Sequence, residues 1–233
     1  VPHILAGLGI VLVLLPFQFA AQPATPQDPE TLARILQGIA LSEAERDSHV
    51  KEYTRIQHYW ARSSRFDESA EMVVRMHYDR GHGKDYVTLS RSGSASVQTR
   101  VFDKLLRMEI DSASDSERET TLFTNSHYNF RMIGMETVNG KNCYVLELDP
   151  LQADKRLFTG RVWVDARENA VVRVEGRPNS SVSFMVGRPS VVQEFGKFGD
   201  FWFATMRDSV ANSFLLGTCQ LRIDYADYKV IAR

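Results

Sequence analysis

The chain has 233 residues, and its 28 Lys and Arg against 29 Asp and Glu leave a net charge of -1, which removes the electrostatic basis for binding nucleic acid. Hydrophobic residues make up 43% and charged residues 24%, too apolar for a disordered chain and enough for one sizeable core or at most two small ones.

Residues 4–21 form an apolar run interrupted only by Gly7, Gly9, Pro16 and Gln18. The run reads as a secretory leader over 1–21, with Ala20 and Ala21 as the cleavage point and a soluble mature protein to follow. The opening Val1-Pro2-His3 lacks the usual positive start, so the leader is atypical or begins upstream. A retained anchor is the other reading, although the run is at the lower limit for a span and contains Pro16. Cys143 is the first cysteine, which argues against a leader ending in a lipid-modified cysteine. Residues 22–27 are a Pro-containing disordered tether, and 28–233 are expected to form a single domain.

Asp28 and Pro29 suit the N-cap and first position of a helix, and Leu32, Ile35, Leu36 and Ile39 follow at helical spacing. Ser42-Glu43-Ala44-Glu45 fits a capping box that restarts a more polar helix to about Glu52. Strands are expected over 54–61, 70–79 and 84–91, where aromatic and β-branched residues lie between turn-like clusters. In the second, Met72, Val74, Met76 and Tyr78 alternate with Glu71, Val73, Arg75 and His77, as in a half-buried antiparallel strand. Val101, Leu105 and Met108, flanked by Phe102 and Leu106, predict a helix over 98–110. The acidic stretch 111–119 reads as a solvated boundary.

A second set of strands begins with 129–138 and 141–149 around Asn139-Gly140, a pair suited to a hairpin turn because both residues must take positive φ. Residues 160–165 and 170–176 make another hairpin, with Val162 and Val164 facing Val172 and Val174. Strands at 182–186, 191–198, 201–208 and 218–230 complete the series, and the absence of βαβ alternation argues against a doubly wound nucleotide fold. Alternation places Cys143 opposite Tyr144, Leu146 and Leu148, but Cys219 on the face of Leu221, Ile223 and Tyr225. In one sheet the thiols would point to opposite sides, against a disulfide.

No motif points to catalysis, a cofactor or a metal. Gly81-His82-Gly83 reads as a turn, the six histidines lack zinc-ligand spacing, and the Ser-rich 90–96 has no nucleophile-elbow pattern. Phe195, Phe198, Phe201, Trp202 and Phe203 make a dense aromatic stretch. A curved sheet bearing such residues encloses either a filled core or a ligand cavity, and composition does not separate the two.

Gly160-Arg161-Val162-Trp163-Val164-Asp165, followed by Ala170-Val171-Val172-Arg173-Val174-Glu175-Gly176, resembles the hairpin of the outer-membrane lipoprotein-sorting superfamily, which is LolA-like and LolB-like. Tyr144-Val145-Leu146-Glu147-Leu148 before it and Phe198-Gly199-Asp200-Phe201-Trp202 after it fall in the expected order. The resemblance implies a mainly β (α+β) fold, a curved antiparallel sheet forming an incomplete β-barrel with helices covering its concave side. It also implies a non-enzymatic periplasmic carrier that shelters lipid or lipoprotein acyl chains, with donor and acceptor proteins at the inner and outer membranes. An envelope regulatory or assembly module of the same fold, binding a protein partner, is the alternative. On that frame the candidate cavity residues are Met72, Val74, Met76, Leu146, Leu148, Val162 and Val164 on the wall and Val101, Leu105 and Met108 on a lid.

Overall fold

In a computed structural model, which describes residues 29–65, 69–111, 123–154, 157–179, 188–214 and 216–232, the strand alternation resolves into one ten-stranded antiparallel sheet. Helix α1 (Pro29–His49) leads into β1 (Val50–Ser63), β2 (Ser69–Asp79) and β3 (Gly83–Gly93). A helical segment follows, made of α2 (Ala95–Val97), a π-helical turn (Gln98–Phe102) and α3 (Asp103–Asp111). The chain then runs through β4 (Tyr128–Val138), β5 (Lys141–Pro150), β6 (Phe158–Asp165), β7 (Val171–Pro178), β8 (Ser190–Phe198), β9 (Phe201–Ser213) and β10 (Gly217–Ala232). The order across the sheet is β3-β2-β1-β10-β9-β8-β7-β6-β5-β4, so every neighbour is a sequence neighbour except β1 beside β10. With β3 and β4 at its two edges, the sheet is an incomplete barrel, as the sequence resemblance implied.

The register lays out the two faces. One transverse row reads Met72, Tyr59, Ile223, Arg207, Gln193, Val174, Val162, Leu146, Met132. The adjacent row, one residue away and pointing to the other side, reads Trp60, Arg222, Asp208, Val192, Glu175, Arg161, Glu147, Arg131. The first is apolar at both ends and marks the inner face; the second is mostly charged and marks the outer. Both helices cover the inner face. Ile35, Leu36 and Ile39 of α1 pack on Leu146, Leu148, Val162 and Val164, while Phe102 and Leu106 pack on Tyr59, Met72, Val74, Met76 and Ile223. Arg207 and Gln193, joined by a 2.9 Å hydrogen bond, separate the two patches.

Several expectations are corrected. The helix does not restart at Ser42: α1 runs unbroken to His49, because a capping box needs a non-helical N-cap and no helix breaker between Ile39 and Ser42 forces one. The helix ends where Ser48 Oγ donates to the Glu45 carbonyl, and Glu52 already belongs to β1. In the β6–β7 hairpin a bulge between Trp163 and Val164 pairs Val164 with Val171, and Val172 turns to the outer cluster with Trp163, Val145 and Cys143. Asn139 and Gly140 take φ of 49° and 77°, the turn their identities require. The cysteines are free: Cys143 sits in the outer cluster, and Cys219 shares its strand parity with inward Ile223 and Tyr225. The leader, the tether, Asp28, most of the acidic stretch and the strand expected at 182–186 lie outside the described residues.

Candidate ligand-binding face

β1 sets the centre of the site. Its inward positions are Tyr53, Arg55, Gln57, Tyr59 and Ala61, all buried, so a strand that is otherwise apolar on this face carries a guanidinium and an amide in its middle. Burying either group without partners costs several kcal/mol, roughly 2–7 for an amide and more for a charge. The partner comes from the helical segment. Glu109 of α3 receives a close ion pair from Arg55 Nη2, accepts at 3.1 Å from Gln57 Nε2 and is 3.2 Å from Lys84 Nζ on β3. Arg55 also donates to the Tyr228 hydroxyl at 2.9 Å, which in turn donates a hydrogen bond to the Ala204 carbonyl at 2.7 Å. The guanidinium lies 4.6 Å from the centroid of the Tyr225 ring.

The electrostatics follow from this packing. Burial by itself raises the Glu109 carboxyl, but Arg55, Lys84 and the Gln57 hydrogen bond outweigh it and hold the group below the ordinary carboxylate range. Burial lowers Arg55, and Glu109 more than restores it, so the guanidinium stays charged. Burial raises the Tyr59, Tyr225 and Tyr228 phenols above their ordinary value. A carboxylate and a guanidinium therefore sit charged between the helix and the sheet, with Lys84 Nζ beside the carboxylate.

Around this polar fastening the contact is apolar. Phe102 and Leu106 are fully buried over Met72, Val74 and Met76, and the Tyr59 and Phe102 rings are 5.6 Å apart. Gln98, in the π-helical turn, donates to the carbonyls of Glu71 and Ser92 at 2.8 and 2.7 Å, and Arg91 bonds Asp103 at 2.7 Å. The helical segment is thus held at both ends by polar bonds and in its middle by two side chains.

The ten candidate residues fall into three places. Met72, Val74 and Met76 lie beneath Phe102 and Leu106; Leu146, Leu148, Val162 and Val164 lie beneath α1, on the other side of Arg207 and Gln193. On the lid, Val101 and Leu105 are half-buried against the first patch, and Met108 is 44% exposed. The face that meets the sheet is turned by one residue from the expected one, to Phe102, Leu106 and Glu109. Arg55, Gln57, Lys84 and Glu109 were not among the sequence candidates. One signal for Arg55 and Gln57 was available: they share strand parity with Tyr53, Tyr59 and Ala61, positions that alternation assigns to the interior.

A small cavity of about 70 Å³ lies at the far end of α1, between Ile39, Glu43 and Arg46 on one side and Phe195, Phe201 and Trp202 on the other. That is room for about two waters, well short of the roughly 300–1,000 Å³ of ordinary ligand pockets. Among the described residues no group of three or more His, Cys, Asp or Glu is placed to hold a metal ion.

No family model and no curated protein matches the sequence. Among solved structures the chain is similar to an outer membrane lipoprotein-sorting protein domain from Vibrio parahaemolyticus, with TM-score 0.45 and 13% identity over 84% of this chain and 91% of that one. It is also similar to a DUF1329 family protein from Desulfovibrio piger, with TM-score 0.42 and 13% identity over 84% and 92% of the two chains. A LolA superfamily protein from Nitrosomonas europaea gives TM-score 0.40 and 15% identity, again over 84% and 92%. The likeness is one of fold, and at these identities no activity, cargo or partner passes from those proteins to this chain.

Proposed function

We propose that the protein is a non-catalytic, periplasmic binding protein that shelters the acyl chain of a lipid or lipoprotein between β1, β2 and β10 and the helical segment above them, carrying it between membranes. The observation that supports this reading is the Met72, Val74 and Met76 stripe, which is wholly buried by a helix that contributes only Phe102 and Leu106 as fully buried side chains. Lifting that helix forfeits about 1.5–3 kcal/mol for each of the two side chains. An acyl chain returns about 0.8 kcal/mol per buried methylene, so a chain of about ten methylenes outweighs both. Methionine suits such a floor because its unbranched thioether adapts to different chains. The polar fastening at Glu109 then sets how readily the helix lifts.

The same packing favours one other reading. With the stripe already covered, the inner face serves as a filled core, and the fold acts as an envelope regulatory or assembly module that contacts a protein partner. Two measurements separate them. Protein isolated from its own envelope and examined by native mass spectrometry carries bound lipid or lipopeptide on the first reading. An acylated peptide at about a hundred times its Kd raises the unfolding free energy by about 2.7 kcal/mol, while the same peptide without its acyl chain does not. Absence of both a bound mass and an acyl-dependent shift overturns the carrier reading.

A further inference from the structure

Hairpin tips ordinarily carry Gly, Asn, Asp or other polar residues, because the turn needs them and the tip is wet. The tips of β2–β3, β4–β5, β6–β7 and β8–β9 follow that chemistry, with Arg80-Gly81-His82, Asn139-Gly140, Ala166-Arg167-Glu168-Asn169 and Gly199-Asp200. The tip between β9 and β10 does not: its sequence is Phe214-Leu215-Leu216. Phe214 is 90% exposed, more than any other large hydrophobic residue described, and Leu216 is exposed as well. An aromatic ring held in water at the point of a hairpin contributes nothing to the fold.

The backbone around these side chains is treated as it would be for entry into an apolar layer. The Phe214 carbonyl accepts from Arg65 Nη1 at 3.0 Å, and the Leu216 carbonyl accepts from Ser63 Oγ at 2.6 Å. The Leu216 N–H donates to Ser213 Oγ at 3.3 Å. The neighbouring loop is tied to the base of the hairpin by Ser64 N–H to the Thr218 carbonyl at 2.8 Å and by Thr218 N–H to Ser64 Oγ at 2.9 Å. Each of these paired groups avoids the several kcal/mol that an unpaired one costs in hydrocarbon. Arg62 and Arg65 are both exposed at the base of the tip, the level at which arginine meets lipid headgroups.

We propose that the β9–β10 tip is a lipid-bilayer contact site, in which Phe214 and Leu216 enter the interface and Arg62 and Arg65 face the phosphates. This does not depend on the helix over β1 and β2 lifting, so the two proposals fail separately. The test is co-sedimentation of the full chain with vesicles of phosphatidylcholine alone and of phosphatidylcholine with phosphatidylglycerol. Wild-type protein sediments with both and more tightly with the anionic vesicles, by about fivefold for each arginine engaged. Phe214→Asp weakens sedimentation by about tenfold or more while leaving the thermal melt unchanged, because the ring buries almost nothing in the free protein. Phe214→Trp adds an emission that shifts to the blue when vesicles are present. The proposal is overturned if wild type sediments with neither vesicle, or if Phe214→Asp sediments as wild type does. It is equally overturned if the lipid-free protein self-associates and Phe214→Asp abolishes that association, since the tip would then serve a second copy of the chain.

Discussion

Glu109 carries a charge that its burial opposes, and three side chains from two strands keep it. Its carboxyl is held below the ordinary value when folded, so its contribution to stability is fully present above the unfolded carboxylate pKa. That contribution is lost as pH falls through the lower, folded value, and acid is therefore the condition that loosens the helix. Replacing Glu109 with Ala leaves Arg55 buried without its counter-ion and should cost about 3 kcal/mol at neutral pH, measured by urea unfolding. Glu109→Gln keeps the shape and removes the titration, so its stability should vary less than that of wild type between about pH 5 and pH 3. Equal acid sensitivity of the two proteins would place the titrating group elsewhere. Of this network only the inward parity of Arg55 and Gln57 was legible in the sequence. Glu109 reads as a solvated helix residue until Arg55 is brought against it, and Arg55 lies on a strand 54 residues earlier in the chain.

At the scale of elements, alternation and turn chemistry carried most of the fold. The inward parity of β2, the Asn139-Gly140 turn and the antiparallel order all follow from period-two patterning and from a turn that needs positive φ. The helix over β2 shows where such reading stops. Two stripes run along it at the same spacing, Val101-Leu105-Met108 and Phe102-Leu106-Glu109, and the packing fully buries Phe102 and Leu106, leaves Val101 and Leu105 half-buried beside them and leaves Met108 exposed. Spacing alone does not choose between adjacent stripes. The assignment is testable: Leu106→Ala should destabilise by about 2–5 kcal/mol, and Met108→Ala by about 0.5 kcal/mol or less. A reversed order of the two effects would restore the face expected from spacing. The bulge in β6–β7 has the same character, because one extra residue moved Val172 to the outer face and left the rest of the hairpin as patterned.

Across the whole molecule, the described inner face carries one apolar patch under α1 and one under Phe102 and Leu106, divided by Arg207 and Gln193, with a further aromatic cluster of Tyr53, Tyr78 and Phe203. Local opening is expected to follow that division. Amides of the segment from Ala95 to Asp111 should exchange by a sub-global opening of lower free energy than those of β5 and β6, and Glu109→Gln should lower the first and leave the second. Uniform exchange across both patches would show that they open as one unit. The chain order adds a further consequence. The floor beneath Phe102 is built from β1, β2 and β10, and β1 meets β10 through pairs such as Tyr53 with Val230 and Tyr59 with Ile223. Contacts so distant in sequence close late and slowly, on the order of milliseconds to seconds for sheets of this kind. As the chain is synthesised, Met72, Val74 and Met76 emerge long before the strand that completes their surroundings. The nascent protein therefore exposes to the folding machinery the same apolar stripe that the finished protein keeps covered.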